Sequence, residues 1–469
     1  MSNPVPKSCK NRKFISVLNT ADETAVPTES FSIMSYNVLS QKNIRRTMFP
    51  YASSNSLKWK FRKGNLLSEI KHLRPDIICL QEVTIDHYHQ VFQPEFTKWG
   101  YIGELHFSYG KNHGVAIMCL KEKFSIVSNM RIELGCQRNP NDPDSFYIPD
   151  NIAQIFVLEF NENSSTDSLI QSTNSNNSIP TTPNVESPLE LDSQSENELD
   201  IGMPNKKHKS SNESLETSFK ESHKNRIIVA NTHLYWKPDG GFERFQQMTK
   251  ILSCCKQLSA DNKYPLLMCG DFNTTPDDTL YTLLTCPKPL KLSLDMTEQL
   301  LPTTTDYDSS EEQDDFPDGS NTDEKITQQL LEAQKNIDSI YNNDLNMVNS
   351  KLNKFYSDFK NYTFFSSYSN YSQYDESHLN NPKWTGEPLY TNYTNWKGTL
   401  DYIMIQRFPF KDTETNSINK CSTNNNSQAF VLKEILSIPN TTFLIPGLPN
   451  EVFSSDHISI MAKIDYYKN

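Results

Sequence analysis

Eight short apolar runs, each of strand length, constrain this chain most. They are Phe31–Val38, Asp76–Leu80, Gly114–Leu120, Ile152–Phe160, Arg226–Leu234, Pro265–Phe272, Leu400–Ile405 and Ile458–Ile464. Each is rich in Val, Ile, Phe or Tyr, and several are bounded by Asn, Asp, Gly or Pro, the composition of strands closed by turns. Two segments show helical spacing instead. Leu57–Leu73 aligns Leu66, Leu67, Ile70 and Leu73, and Phe242–Leu258 aligns Phe245, Met248, Ile251, Leu252 and Cys255. Strands outnumber helices and often follow one another directly. The expected fold is α+β: two mixed β-sheets flanked by helices in a four-layer sandwich.

Low-complexity stretches interrupt this pattern. The chain has 469 residues, of which 36% are hydrophobic, and a mean hydropathy of −0.63, low for a chain that is compact throughout. Residues 161–222, almost all Ser, Asn, Thr, Glu and Pro, read as a disordered insertion at a hairpin tip, and 302–325 and 412–428 as two further ones. A polar helical stretch, Asp323–Val348, follows the second. The expectation is therefore a flexible segment 1–29 and one domain over 30–469. The basic cluster Lys206–Lys209 reads as an unspecific charge run or a nuclear localisation or nucleic-acid tether.

Charge excludes less than it suggests. The net charge of −12 seems to oppose nucleic-acid binding, which relies on Lys and Arg. However, nine acids and no base lie between Asp306 and Glu324, and without them the balance is −12 + 9 = −3. The nine cysteines show no zinc spacing and read as reduced thiols. No apolar run reaches the ~18 residues of a membrane span. Lys7, Lys10, Arg12 and Lys13 near the start fit a disordered basic segment better than a mitochondrial presequence. Cytoplasm or nucleus is expected.

The apolar runs end in residues suited to phosphoester chemistry. Asn37 ends SYNVL, Glu82 ends ICLQEV and His233 ends VANTHL. Asp271 and Asn273 end MCGDFN, Asp401 lies in GTLDYI, and Asp456 and His457 precede ISI. Hydrolysis of a phosphodiester needs a divalent ion, a base for water and donors for developing charge. Mg²⁺ keeps several waters, so one or two carboxylates suffice. Each residue alone has an ordinary reading as a turn, cap or structural histidine. Their order along the chain raises the joint reading above these.

The strings SYNVLSQ, LQEV, NTHLYW, GDFNTTP, TNYTNWKGTLDYI and SSDHISI resemble the endonuclease/exonuclease/phosphatase superfamily, in the branch of the carbon-catabolite-repression deadenylase and nocturnin. KNHGVAIM and RRTMFP resemble the Ngl-type RNA exonucleases of yeasts. The resemblance covers about 30–160, 225–290 and 384–466. It implies a DNase I-like fold and Mg²⁺, with Mn²⁺ as substitute, held at Glu82 with Asn37 and with Asp456 at the metal or behind it. It further implies Asp271 as general base, Asn273 placing the phosphate, His233 and His457 stabilising the transition state, and Asp401 orienting His457.

Substrate contacts implied by the resemblance are Trp396 and Asn392, the Asn standing one residue closer than in deadenylases, which leaves its assignment open; for Trp396 the competing reading is core packing beside its strand. Trp236 and Pro238 would shape the wall and Asn151 would touch phosphate. His113 stands where deadenylases carry an acid, as in the Ngl-type group. The implied activity is 3′-to-5′ exoribonuclease action on poly(A) tails or other RNA 3′ ends, releasing 5′-mononucleotides. Two alternatives are a phosphatase acting on a small metabolite such as NADP and a non-catalytic RNA-binding protein. RNA is the expected partner of a monomer with no membrane contact and no leucine-rich-repeat docking segment.

Overall fold

The computed structural model describes residues 4–17, 26–135, 150–162, 225–259, 264–286, 292–302, 342–379, 386–407 and 429–467. The expected insertions 161–222, 302–325 and 412–428 fall almost wholly outside these ranges, as does the Lys206–Lys209 cluster.

Two mixed sheets carry the fold. The first comprises β1 (Phe14–Ser16), β2 (Glu29–Asn37), β3 (Ile77–Thr84), β4 (Tyr101–His106), β5 (His113–Leu120), β14 (Phe430–Leu436) and β15 (Ile460–Tyr466). Its order is β1-β14-β15-β2-β3-β5-β4. The second comprises β6 (Phe124–Glu133), β7 (Ile152–Phe160), β8 (Arg226–His233), β9 (Leu266–Asp271), β10 (Thr363–Ser366) and β13 (Asp401–Arg407), ordered β10-β13-β9-β8-β7-β6. A small hairpin, β11 (Asn392–Tyr393) with β12 (Lys397–Gly398), stands apart from both.

Strand alternation feeds separate cores. In β3, Ile77 and Cys79 face the second sheet, where Phe156, Val229, Leu267 and Ile403 join the same cluster. Ile78 and Leu80 face the opposite way, against Leu66 and Ile70 of α1 (Trp59–Leu73). Burial on both faces explains why such strands read as continuous apolar runs. On the outer face of the second sheet, Ile155, Ile228 and Met268 pack against Phe245, Met248 and Leu252 of α2 (Gly241–Leu258). The four-layer expectation holds.

Each sheet contains one parallel pair, and each pair is joined by one of these helices. β2 and β3 are parallel and flank α1, while β8 and β9 are parallel and flank α2. α1 ends at Arg74, in the left-handed region at φ 42°, followed by Pro75, a stop signal legible in the sequence. Gly270 has φ 151°, and a Cβ there would lie 2.1 Å from the Thr232 carbonyl oxygen, so only glycine lets β9 lie this close to β8.

Two expectations need correction. Residues 1–29 are not all a flexible segment: Phe14–Ser16 pair with Glu434–Leu436 as the edge strand β1. Buried Arg12 bonds Glu69, the Ser459 side chain and the Ser437 and Ser459 carbonyls. The reason is that the Arg12 guanidinium meets a buried carboxylate from α1, which a count of basic residues does not reveal. Of the helix expected over Asp323–Val348, residues 323–341 lie outside the described ones; 342–348 are helical, and the helix continues to 359 with an apolar face. Val348, Leu352, Phe355 and Phe359 are buried at helical spacing in the α2 core.

Candidate active site

The carboxyl ends of both parallel pairs open onto one rim, where α/β sheets place their ligand sites. Asn37 ends β2, Glu82 lies near the end of β3, His233 ends β8 and Asp271 ends β9. Register fixes several of these neighbours: Asn37 opposes Gln81, and Asp271 opposes both His233 and Asp401. The isolated bridge Asn392–His457 attaches the β11–β12 hairpin to the same rim.

Asp271 is the hub. Its Oδ2 accepts from Asn37 Nδ2 at 3.0 Å and lies 3.5 Å from Nε2 of both His233 and His457. Its Oδ1 accepts the Asn273 backbone N–H at 3.0 Å. The carboxylate is 1% exposed. His457 Nδ1 lies 2.8 Å from Asp401 Oδ2, which holds the ring in one orientation. Burial works against a charged His457, but Asp401 and Asp271 outweigh it and raise its pKa well above the usual value. Burial likewise raises Asp401, against the pull of His457.

Glu82 stands opposite this group. The β3–β5 register shifts between Leu80 and Val83, and at this bulge Glu82 takes φ 57°. Left-handed backbone at a non-glycine residue is a feature of functional sites. Glu82 Oε1 accepts from Asn37 Nδ2, while Oε2 accepts from the Ser40 backbone N–H and Asn43 Nδ2. Burial opposes its ionisation, yet His233, His113 and these donors hold its pKa down at about 2. Asp456, beside His457, is pushed up to about 6, by burial first and by the Glu82 charge, with His457 and Arg62 opposing.

Asn37 bridges Glu82 and Asp271 through one amide nitrogen, and its Oδ1 accepts the Leu39 N–H. In this geometry it orients both carboxylates. Asp271, Asp401 and His457 form the group of acid and imidazole atoms, all within 4.8 Å, that could hold a metal. His457 Nδ1 is committed to Asp401 while Nε2 faces Asp271, an arrangement that also suits proton transfer.

Asn273 has φ 48° and donates Nδ2 to the Leu234 carbonyl. Asn151 is tied at both ends, donating to the His233 carbonyl and accepting from Gln247 Nε2. These two bonds fix its amide beside His233. Asn392 is buried, and its Oδ1 accepts from Thr394 Oγ1. Trp396 is 50% exposed, and a Cβ on Gly398 would meet its ring at 2.2 Å, so the indole lies over the hairpin and outside the core. Trp236, 66% exposed, and Pro238 stand on the loop leaving His233. His113 is half-buried near Glu82 and His233, which act on its pKa; burial sets the net direction, downward.

Several supporting residues escaped the sequence reading. Buried Arg62 donates to the carbonyls of Val38, Leu39 and Ser454 and to Gln41 Oε1, joining the Asn37 and Asp456 loops. Buried Arg244 holds the carbonyls of Tyr235, Lys237 and Pro238 and pairs with Asp278, joining the His233 and Asp271 loops. Asn231 and Gln81 bond at 2.8 Å across the two sheets beneath the site. Ser455 donates to the Asn37 carbonyl. Asn231, Gln81 and Ser455 lie inside the strings already singled out, which was the available signal. A buried arginine among Lys58–Lys63 had none.

A profile of the endonuclease/exonuclease/phosphatase family matches residues 34–457, and the chain belongs to that family. Its relatives lie in the branch expected from sequence. It is 27% identical over 393 residues to the RNA exonuclease NGL2 of Saccharomyces cerevisiae, covering 80% of this chain and 65% of that one. It is 26% identical to the probable RNA exonuclease C9B6.11c of Schizosaccharomyces pombe, over 97% of this chain and 80% of the relative. Among solved structures it shares its fold with ANGEL2, described as a 2′,3′-cyclic phosphatase, at a TM-score of 0.56 and 22% identity, covering 97% and 98% of the two chains.

Proposed function

We propose that this chain is a Mg²⁺-dependent exoribonuclease that hydrolyses RNA from its 3′ end and releases 5′-mononucleotides. The observation carrying the proposal is the convergence of Glu82, Asp271, Asp401 and His457 on one rim, with Asn37 bridging Glu82 and Asp271. The RNA exonuclease names of the two yeast relatives support the substrate class.

Glu82, ionised down to about pH 2, and Asp456 offer the hard oxygen donors that suit Mg²⁺, with Asn37 aligning Glu82. Such an ion, when bound, neutralises phosphate charge and lowers the barrier to attack. Asp271 orients the attacking water and accepts its proton. Protonated His457, fixed by Asp401, donates to phosphate oxygen as charge builds there, and His233 supplies a second donor. Asn273 holds the phosphate beside Asp271. Exposed Trp396 offers a face for base stacking, worth ~1–3 kcal/mol per base.

Purified chain with Mg²⁺ and a 5′-labelled RNA should yield a ladder of shortened products, lost in Glu82→Ala and Asp271→Ala. Unshortened RNA with wild type overturns the reading. Release of inorganic phosphate from NADP or a 2′,3′-cyclic nucleotide product would instead establish the phosphatase alternative.

A further inference from the structure

From Ser30 to Ser68 the chain holds seven basic residues and no acidic one. They are Lys42, Arg45, Arg46, Lys58, Lys60, Arg62 and Lys63. In a chain of net charge −12 this leaves −12 − 7 = −19 on the remainder, so the segment stands out against its own protein. Arg62 is consumed inside, on backbone carbonyls. Lys42, Arg45, Arg46, Lys58 and Lys60 are exposed and Lys63 is half-buried. Among the described residues, none of these six forms an ion pair with a carboxylate.

The segment borders the site directly. Ser40 and Asn43, on either side of Lys42, both bond Glu82 Oε2, at 3.0 and 2.8 Å. The Tyr51 hydroxyl donates to the Leu448 carbonyl, and its pKa is raised by burial and by Asp456. A small core of Leu39, Phe49, Ala52 and Leu57, with Ile44 and Tyr51 against it, gives the loop a fixed shape. The basic run continues onto the start of α1, which carries Lys60 and Lys63. His87, stacked on Trp59 at 3.7 Å, is lowered in pKa by burial and by Arg62, with Lys42 and Lys63 adding and Asp86 opposing.

Six cations without a carboxylate partner, four on this loop and Lys60 and Lys63 on the start of α1, repel one another, and a polyanion that meets them relieves that repulsion. We infer that Lys42–Lys63 form a cationic track that grips the sugar–phosphate backbone of the single strand beyond the scissile bond. This rests on the RNA reading above and adds to it: the site would process long strands better than short ones through this loop. Each phosphate neutralised on a single strand contributes a slope of about −0.7 to log K against log salt.

The test is the full chain carrying Lys42→Glu, Arg45→Glu and Lys60→Glu together, with the same positions changed to Gln as a milder second variant. None of the three touches Glu82, Asp271 or His457. Binding is read by fluorescence polarisation on an RNA of about twenty nucleotides across a salt series, and turnover on a dinucleotide. The Glu variant should bind the long RNA at least about tenfold more weakly, with the salt slope shallower by roughly 2. The Gln variant should show the same direction to a smaller extent, and dinucleotide turnover should not change. Unchanged long-RNA affinity and slope overturn the inference, and so does an equal loss on the dinucleotide. Loss of binding to phosphatidylserine vesicles with RNA binding intact also overturns it, in favour of a membrane surface. Wild type that binds the long RNA without shortening it overturns the exoribonuclease reading and leaves the track standing.

Discussion

Asp401 and Asp271 are register partners across the antiparallel β9–β13 pair, and His457 spans them, Nδ1 2.8 Å from one and Nε2 3.5 Å from the other. Two carboxylates on adjacent strands thus face one imidazole and raise its pKa. Asp401→Asn preserves shape and removes one of those charges. The His457 pKa, raised above its usual value by both carboxylates, should then fall, so the ring loses its proton at lower pH. RNA turnover should drop about 10²–10⁴-fold with KM little changed, the range for general acid–base groups. The alkaline limb of the pH–rate profile should move to lower pH. A limb that stays in place would show that His457 is not the acid.

Glu82 combines a functional carboxylate with left-handed backbone at φ 57°. Both Glu82→Ala and Glu82→Gly should abolish activity and lose the bonds to Ser40 and Asn43. They should nevertheless differ in stability. Glycine adopts this conformation freely, while alanine keeps a strain of about 1–2 kcal/mol. Urea unfolding should therefore place the glycine variant above the alanine one by that amount, with m unchanged.

Glu387 is fully buried against Tyr281, whose hydroxyl donates to it at 2.7 Å, and burial pushes its pKa up to about 7. Because the folded pKa lies above the unfolded one, the associated stability is present below about pH 4.5 and is lost as pH rises toward 7. Glu387→Gln removes this titration. The variant should gain on wild type by roughly 3 kcal/mol at most between pH 5 and 8. Thermal melts across that range test it, and parallel pH curves would refute it.

Arg62 donates to four acceptors on two loops, and burial lowers its pKa to about 10. Arg62→Met leaves those acceptors without a charged donor at about 1–3 kcal/mol each, partly offset by removal of a buried charge. A net destabilisation of about 2–4 kcal/mol is expected in denaturant. Calorimetric titration with Mg²⁺ should show weaker binding, because Glu82 and Asp456 lose their common brace. Unaltered metal affinity would mean that Arg62 serves the fold alone.

The sheet layers and the polar rim were legible because strands buried on both faces must be apolar along their length and can end abruptly in a polar group. Ile152–Phe160 coincides with its strand, six other runs lie within two residues of theirs, and Asp76–Leu80 stops four residues short of the end of β3 at Thr84. β6 is not legible as an apolar run because its exposed residues Ser125, Asn129 and Arg131, with half-buried Ser128, break the signal. β1 is three residues long and exists only through its pairing with β14. Within the rim, residue types pointed to chemistry but could not reveal commitment. Asn151 and Asn273 look alike in sequence, yet one is occupied at both ends of its amide.

The strands also divide the molecule by direction. β7 begins beside Asn151 at the rim and ends at Phe160, whose N–H meets the Asn225 carbonyl. β13 begins at Asp401 and runs away from Asp271 to Arg407. The connections 163–224 and 408–428 therefore both leave from the end opposite the reacting groups. Doubling the length of such a connection adds only about 0.6 kcal/mol of closure entropy. These two connections can thus accept or shed dozens of residues while the rim keeps its atoms in register, so their growth and the precision of the chemistry are physically uncoupled.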